Sequence, residues 1–471
     1  MISGFNPSEY LQLSMFGLRV TQRLISPIIV LLLSVPCFSV QNTMPAGRVF
    51  DTVECSANKD FSYCLYLPSS YTDTRKWPVI FFFDPAARGR LPVRKYSELA
   101  EKYGFVFAAS NNTRNGMFWK DVYRAAEIMI KDVHDKFQID TTLQLASGFS
   151  GGSRVASQVV LRYRLSGAIA CGAGFAAIHL LPDNLPPFLY AGIVGMKDMN
   201  YFEMYEVEDF LKSRRVPVAI FSSEFGHDWP PREIYRMALL WILMQSDRPL
   251  HQGRETCNEQ LLNEYLGVAE EQTQKLNTLA KVRNYDHILN YFPECSRYRN
   301  ISFTRDSILF SKQYGKNQAE WNRIRKNELA EQQRLMQSFD RLLFSEYLTD
   351  SVKTWWISKV KQLNRQLKSR NEQRSFMAAR LLNLITSSCY AYGADLENTA
   401  GHEKRILLYR IWTQGDPENK FAWYYLANAY AGNLEHEKAY SALERAIELG
   451  FDQLESIKNN PDFQPVLHRI K

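Results

Sequence analysis

One serine in this chain stands between glycines, in the run Gly148-Phe149-Ser150-Gly151-Gly152. A strand-like stretch, Leu143-Gln144-Leu145-Ala146, precedes it, and a helix-like stretch from residue 153 to 160 follows. In this strand–turn–helix context a G-x-S-x-G sequence exposes a nucleophilic serine at the edge of a sheet. Glycines are needed because side chains beside so tight a turn would clash. The pattern predicts Ser150 as a nucleophile; the alternative is a glycine-rich turn without chemistry.

A serine hydroxyl needs a neighbouring base, and enzymes with this turn carry serine, acid and histidine in that chain order. Of the eight histidines, His134 precedes the serine and His179 precedes every plausible acid loop, whereas His227 follows both and still lies within the strand-and-helix part of the chain. It follows the strand-like run 216–221, and loops at the carboxyl ends of strands are where such sheets bind ligands. The order and placement predict His227 as the base.

The acid is expected in the loop after the preceding strand-like run, residues 191–194, which places Asp198 there. Its role would be to orient the imidazole and stabilise the imidazolium. Glu224 and Asp228 are alternatives, but both are so near His227 in sequence that reaching its Nδ1 would be awkward. Asp198 is otherwise a helix cap or a surface charge.

An oxyanion hole requires two N–H groups aimed at the position where negative charge develops. The residue after the nucleophile, Gly151, is expected to supply one. The other should come from the loop after the run 79–83. Because Pro85 has no N–H, the candidates are Ala86 and Ala87, of which Ala86 is the first choice.

The elements that must position these residues show an α/β pattern. Short apolar runs, typical of strands buried on both faces, lie at residues 64–67, 79–83, 105–109, 143–146, 167–171, 191–194 and 216–221. Helical patterns lie between many of them, which predicts a doubly wound, mostly parallel sheet. The first runs precede any helix and therefore predict an antiparallel edge.

After about residue 246 the strand signals nearly vanish, and apolar residues recur at helical spacing. Two short runs, 301–303 and 308–310, are interpreted as strands or extended linker. Near the C-terminus, small alanines between residues 423 and 446 resemble a tetratricopeptide repeat, in which two helices pack closely. One repeat cannot bury its own face, so it should dock on the helices before it, and it is a possible site for a protein partner.

Composition narrows the class of protein. The net charge of +7 is small for 471 residues and spread out, which argues against nucleic-acid binding. Neither a C-x-x-C pair nor an H-E-x-x-H motif is present, so no metal site is expected. Cys55 and Cys64 flank a short turn and are either a cross-hairpin disulfide or two free thiols.

The first residues predict export. Arg19 and Arg23 precede the apolar run 28–33, which is typical of a signal peptide, so we expect a secreted or periplasmic protein. An uncleaved anchor is the alternative, and only then would the chain meet a membrane. The predicted organisation is a signal segment, an α/β domain, a helical region and a repeat-like region, at residues 1–41, 48–245, 246–395 and 396–471.

The site motifs together resemble the α/β-hydrolase superfamily, nearest to secreted feruloyl esterases and polyhydroxybutyrate depolymerases. The likeness covers residues 48–245 and includes Phe83-Asp84-Pro85, the serine turn and the loop 226–230. It implies a serine hydrolase with Ser150, Asp198 and His227 as triad and no cofactor. Where those esterases often carry His-Gly this chain has Asp84-Pro85, and its acid loop differs from their Gly-Thr-x-Asp, so the substrate is left open.

The expected function is hydrolysis of a small-molecule or polymeric carboxylic ester through an acyl-enzyme. A serine peptidase is the alternative among enzymes. A different class is a hydrolase-like scaffold with weak or no catalysis, which would bind a protein partner through its C-terminal helices. Absence of a hydrogen bond between Ser150 and His227 would favour the scaffold.

Overall fold

The computed structural model describes residues 44–246, 258–273, 278–292, 295–396 and 401–467. The described residues from Pro45 onward belong to one compact unit. The predicted signal segment, residues 1–41, lies outside the described residues. No helix in the described ranges combines the length and apolar character needed to cross a membrane.

Within the described residues, eight strands form one sheet in the order β1-β2-β4-β3-β5-β6-β7-β8. The strands are Val49–Cys55, Asn58–Tyr66, Trp77–Phe83, Val106–Ser110, Ile139–Phe149, Gly167–Cys171, Leu189–Gly195 and Val218–Ser223. The pairs β1–β2 and β2–β4 are antiparallel, and the remaining pairs are parallel. The predicted mostly parallel sheet with an antiparallel edge is confirmed.

Helices cover both faces of the sheet, as its apolar strands require. Alternate residues of a strand point to opposite faces, and in β3 Ile80 and Phe82 join the core cluster that contains the helix residues Tyr96 and Tyr235, whose rings stack at 4.0 Å. Phe81, equally buried, is not in that cluster and alternates to the other face. The five helices are Arg90–Tyr103 (α1), Trp119–Lys136 (α2), Gly151–Tyr163 (α3), Tyr201–Ser213 (α4) and Arg232–Ser246 (α5). The predicted α/β class is confirmed.

The next three helices extend the core of the sheet instead of beginning a separate one. They are Glu259–Thr273 (α6), Thr278–Leu289 (α7) and Tyr298–Leu309 (α8). Tyr265 and Ile288 are fully buried in the cluster that the sheet itself forms. The predicted boundary after residue 245 therefore does not divide two cores. The runs 301–303 and 308–310, interpreted as strands or linker, instead belong to α8 and the residue that follows it.

A second core lies among the later helices. They are Lys312–Phe344 (α9), Asp350–Leu367 (α10), Glu372–Asp395 (α11), His402–Gly415 (α12), Lys420–Gly432 (α13), His436–Glu448 (α14), Leu454–Lys458 (α15) and Gln464–Leu467 (α16). Short 3₁₀ helices span Ile178–Leu180 and Pro461–Phe463. The buried residues of this core run continuously from Leu335 on α9 to Phe463, so the repeat-like hairpin α13–α14 packs into the same core as α11 and α12.

The two cysteines near the first hairpin are free thiols, and both are buried. Strand register explains why no bond joins them, because Cys55 pairs with Asn58 on β2 while Cys64 pairs with Ala109 on β4. The disulfide interpretation of Cys55 and Cys64 is therefore wrong.

Candidate active site

Ser150 sits at a strained turn between β5 and α3. Its φ of 53° and ψ of −120° lie where a side chain is rarely accommodated, and its N–H is held by the Cys171 carbonyl at 2.8 Å. A Cβ on Gly148 would lie 2.1 Å from the carbonyl oxygen of Gly152, and one on Gly152 would lie 2.0 Å from that of Phe83. The turn can therefore be this tight only with glycine at both positions.

His227 reaches the serine from the loop after β8. Its Nε2 lies 2.9 Å from Ser150 Oγ. The imidazole packs against the Phe149 ring, with 4.7 Å between centroids, and its side chain is only 16% exposed. Packing thus restrains the ring in an orientation in which Nε2 faces the hydroxyl.

Asp198 contacts His227 from the loop after β7, so that serine, histidine and aspartate form a continuous chain of contacts, called the contact chain below. Its Oδ1 lies 2.9 Å from His227 Nδ1 and accepts the Asn200 N–H at 2.8 Å. The carboxyl is fully buried, and burial raises its pKa, although the hydrogen bond and charge of His227 act in the opposite direction. The arrangement places an anionic group where it favours the His227 tautomer with a proton on Nδ1.

The rival acids point elsewhere. Glu224 pairs with Lys197 at 2.8 Å and is exposed. Asp228 accepts the N–H of Trp229 through Oδ1 at 2.6 Å. The structure therefore brings together Ser150, Asp198 and His227 and leaves the neighbouring carboxylates outside the contact chain.

The two predicted oxyanion donors are placed differently. Gly151 is the first residue of α3, where an N–H has no acceptor within the helix. The Ala86 N–H, in contrast, donates to Asp84 Oδ1 at 2.9 Å, so it is not available to an oxyanion in this conformation. The physical reason is that Asp84 turns inward and forms a side-chain turn with the residues that follow it. The Ala87 N–H is likewise occupied, by the Asp84 carbonyl at 3.1 Å.

Asn115 is a residue near the serine that sequence reasoning missed. Its side-chain amide lies so close to Gly151 that a Cβ there would be 1.9 Å from Oδ1 and 3.2 Å from Nδ2. Its own N–H donates to the Pro85 carbonyl at 2.8 Å, which ties it to the loop after β3. Oδ1, the nearer atom, is an acceptor, so it is Nδ2 of this amide that is the candidate second donor beside the Gly151 N–H.

A second missed pair lies far along the chain, on α11. Arg380 Nη1 donates to the Met196 carbonyl and Asn383 Nδ2 to the Lys197 carbonyl, each at 2.7 Å. These carbonyls belong to the two residues before Asp198. The sequence carries no signal for these two residues, because the helical region contains no catalytic motif.

In the ranges that the structure describes, no group of three His, Cys, Asp or Glu side chains is placed to hold a metal ion. The chemistry that the arrangement supports is nucleophilic. A hydroxyl lies against a base, and the base lies against a buried carboxylate. This is the relationship by which a serine is activated for acyl transfer.

No family model matches the chain, and no curated protein sequence matches it. Solved structures of esterases and serine hydrolases are similar. An S-formylglutathione hydrolase from Staphylococcus aureus is 15% identical with a TM-score of 0.33, over 39% of this chain and 90% of that one. A ferulic acid esterase is 17% identical with a TM-score of 0.32, over 41% and 94%. An S-formylglutathione hydrolase from Agrobacterium tumefaciens is 15% identical with a TM-score of 0.35, over 44% and 97%.

Proposed function

We propose that the protein is a serine hydrolase that cleaves carboxylic esters through an acyl-enzyme. The observation that carries the proposal is the unbroken contact chain from Ser150 Oγ through the imidazole of His227 to the buried carboxylate of Asp198, with 2.9 Å at each step. Strain at the serine and the glycines around it are features expected of a nucleophile held out for attack.

The proposed reaction proceeds in two halves. Ser150 Oγ attacks the ester carbonyl carbon while His227 Nε2 takes the hydroxyl proton, and Asp198 stabilises the resulting imidazolium. The oxyanion accepts hydrogen bonds from the Gly151 N–H and the Asn115 amide. His227 then returns the proton to the leaving alcohol as the C–O bond breaks. Water, deprotonated by His227, attacks the acyl-enzyme, and His227 then returns this proton to Ser150 Oγ as the acyl C–O bond breaks, which releases the acid and the free serine.

The substrate is proposed as a small-molecule or polymeric ester. A peptidase is the runner-up and uses the same three residues, so the two are separated by the leaving group. Matched p-nitrophenyl ester and p-nitroanilide substrates with the same acyl group test this directly. Turnover of the anilide at a rate comparable to the ester would favour the peptidase.

The test of catalysis is a set of three variants assayed with p-nitrophenyl acetate and with a fluorophosphonate probe. Ser150→Ala should abolish both turnover and labelling. Asp198→Asn should lower kcat by about 10⁴-fold, because the amide favours the wrong imidazole tautomer. Asp228→Asn, an exposed carboxyl next to His227, is the matched control and should retain activity. Wild-type turnover of p-nitrophenyl acetate by Ser150→Ala would refute the proposal.

The scaffold alternative is not favoured. It predicts that Ser150 and His227 are not in contact, and that contact is present.

Export is proposed from the sequence of residues 1–41 together with one chemical feature. Cys295 is disulfide-bonded, which is typical of proteins in oxidising compartments. Cell fractionation checks it; a reduced protein confined to the cytoplasm would contradict it.

A further inference from the structure

One helix outside the sheet holds the loop that carries the acid. Arg380 and Asn383 lie three residues apart on α11 and therefore on the same face. They donate to consecutive carbonyls, those of Met196 and Lys197, at 2.7 Å each. The next residue is Asp198, so two side chains from the later helices brace the backbone directly before the acid.

The arginine is itself held by a buried carboxylate. Glu328 on α9 accepts from Arg380 Nε at 2.8 Å and from Nη2 at 2.6 Å, and the side chains of both are at most 1% exposed. The planar guanidinium presents its donors in a rigid fork, so two bonds to Glu328 aim the third at Met196. A buried ion pair is rarely a better source of stability than apolar side chains of the same volume. Its use here agrees with an orienting role.

The acid loop and the histidine loop are locked to each other. The Lys197 N–H donates to the Phe225 carbonyl at 3.1 Å. A Cβ on Gly195 would lie 2.2 Å from that same oxygen, and the atom nearest to a Cβ on Gly226 is Asn383 Nδ2, at 3.7 Å. A shift of the Met196–Lys197 backbone is therefore transmitted to the loop that bears His227.

We propose that Arg380 and Asn383 on α11 are positioning residues for the Asp198–His227 pair, with Glu328 on α9 holding Arg380 in place. The inference rests on the proposed hydrolase function. Neither side chain is required to touch substrate; each acts through a backbone carbonyl of the acid loop. The later helices therefore contribute to catalysis by holding the backbone of the loop that carries Asp198.

The principal test compares Asn383→Ala with Asn364→Ala in the full chain. Asn364 Nδ2 also donates to a backbone carbonyl, that of Gln414 at 2.8 Å, but within the helical region. Asn383→Ala should lower kcat for p-nitrophenyl acetate and the rate of fluorophosphonate labelling by about 10- to 100-fold, with KM unchanged, because misplaced groups slow the reaction without weakening substrate binding. Asn364→Ala should leave both rates at the wild-type value. Equal rates in the two variants, or a loss confined to KM, would overturn the inference.

A spectroscopic measurement separates this inference from the proposed function. The proton that His227 Nδ1 shares with Asp198 is expected at low field in the NMR spectrum and should shift in Asn383→Ala but not in Asn364→Ala. If wild-type protein is not labelled by fluorophosphonate, the hydrolase proposal fails while this resonance still reports on positioning. If the wild type is labelled and the resonance is unmoved, the positioning role fails alone.

The role of Arg380 is tested with a double variant, because removing Arg380 alone would leave the Glu328 carboxylate charged and buried. The double variant Arg380→Met with Glu328→Leu removes both charges, and its thermal transition shows whether it is folded. Lys359→Met with Glu331→Leu, a pair joining α10 to α9, is the control. The first double variant should be folded and lose kcat by about tenfold or more, and the second should keep its activity. A folded Arg380 double variant with wild-type kcat would contradict the proposal.

Discussion

The indole N–H of Trp229 donates to Asp84 Oδ2 at 2.9 Å, and both residues are 1% exposed. This bond joins the loop after β3 to the loop that carries His227, across 145 residues of sequence. The same carboxylate accepts Arg88 through both of its oxygens, at 2.9 and 3.1 Å. Asp84 thus holds the loop after β3 against the loop that carries His227 and is not itself a reactant.

Trp229→Phe should therefore reduce both stability and activity. We expect a loss of about 1–3 kcal/mol in the free energy of unfolding, since the buried Asp84 loses a donor and the site loses ring volume. Trp77→Phe is the control, because Trp77 is equally buried and its indole donates to the Thr72 carbonyl at 2.8 Å. Urea denaturation should give similar losses for both variants, whereas kcat should fall only in Trp229→Phe. Equal kcat values would show that the bond to Asp84 is structural alone.

Asn115→Ala tests the second oxyanion donor. Removing one such donor costs about 10²- to 10³-fold in kcat, with little effect on KM, because the bond strengthens as negative charge develops. Asn112→Ala is the matched control: Asn112 bonds Ser62 N at 2.8 Å and the Asp60 carbonyl at 2.9 Å. Steady-state kinetics with p-nitrophenyl acetate measure both. If Asn115→Ala retains kcat, the second donor is another group.

Two glycines, one at the end of β7 and one in the loop after β8, should respond differently to the same added methyl group. A Cβ on Gly195 would lie 2.2 Å from the Phe225 carbonyl oxygen, which is backbone and cannot rotate away, whereas the nearest atom to one on Gly226 is 3.7 Å distant. Gly195→Ala should push the acid and histidine loops apart and lower kcat by about 10²-fold. Gly226→Ala should be tolerated. Similar kcat values for the two variants would contradict the close approach.

A buried histidine outside the site predicts acid sensitivity. His287 is 5% exposed and packs against the Phe221 ring at 4.7 Å. Burial, together with the charges of Lys212 and Arg283, lowers its pKa from 6.5 to about 3. Between those values the unfolded chain binds a proton that the folded protein does not, so stability is full above pH 6.5 and declines as the pH falls.

The expected slope of this decline is about 1.4 kcal/mol per pH unit for one proton. Urea denaturation of wild type and His287→Phe between pH 7 and pH 4 measures it, and titrations common to both proteins cancel in the difference. His287→Phe should lack this component. Parallel stability curves would show that folding does not lower the pKa of His287.

The parts of the site that local sequence determined are those at strand ends. The serine turn, Asp198 and His227 each follow an apolar run, and parallel strands deliver their carboxyl ends to one edge of a sheet. Chain order alone was then enough to choose His227 and Asp198, because the sheet topology makes successive loops neighbours. The contact between His227 and Asp198 is thus predictable from patterns a few residues long.

Contacts between distant segments were decided only by the tertiary structure. Whether the Ala86 N–H is available depends on the inward turn of Asp84, which Trp229 and Arg88 stabilise from other positions. The brace from Arg380 to Met196 spans 184 residues and obeys no local period. A sequence pattern reports on the periodicity of burial and on chain order. Hydrogen bonds between side chains and the backbone of a remote loop depend on how the two cores dock, and that arrangement exists only in the folded chain.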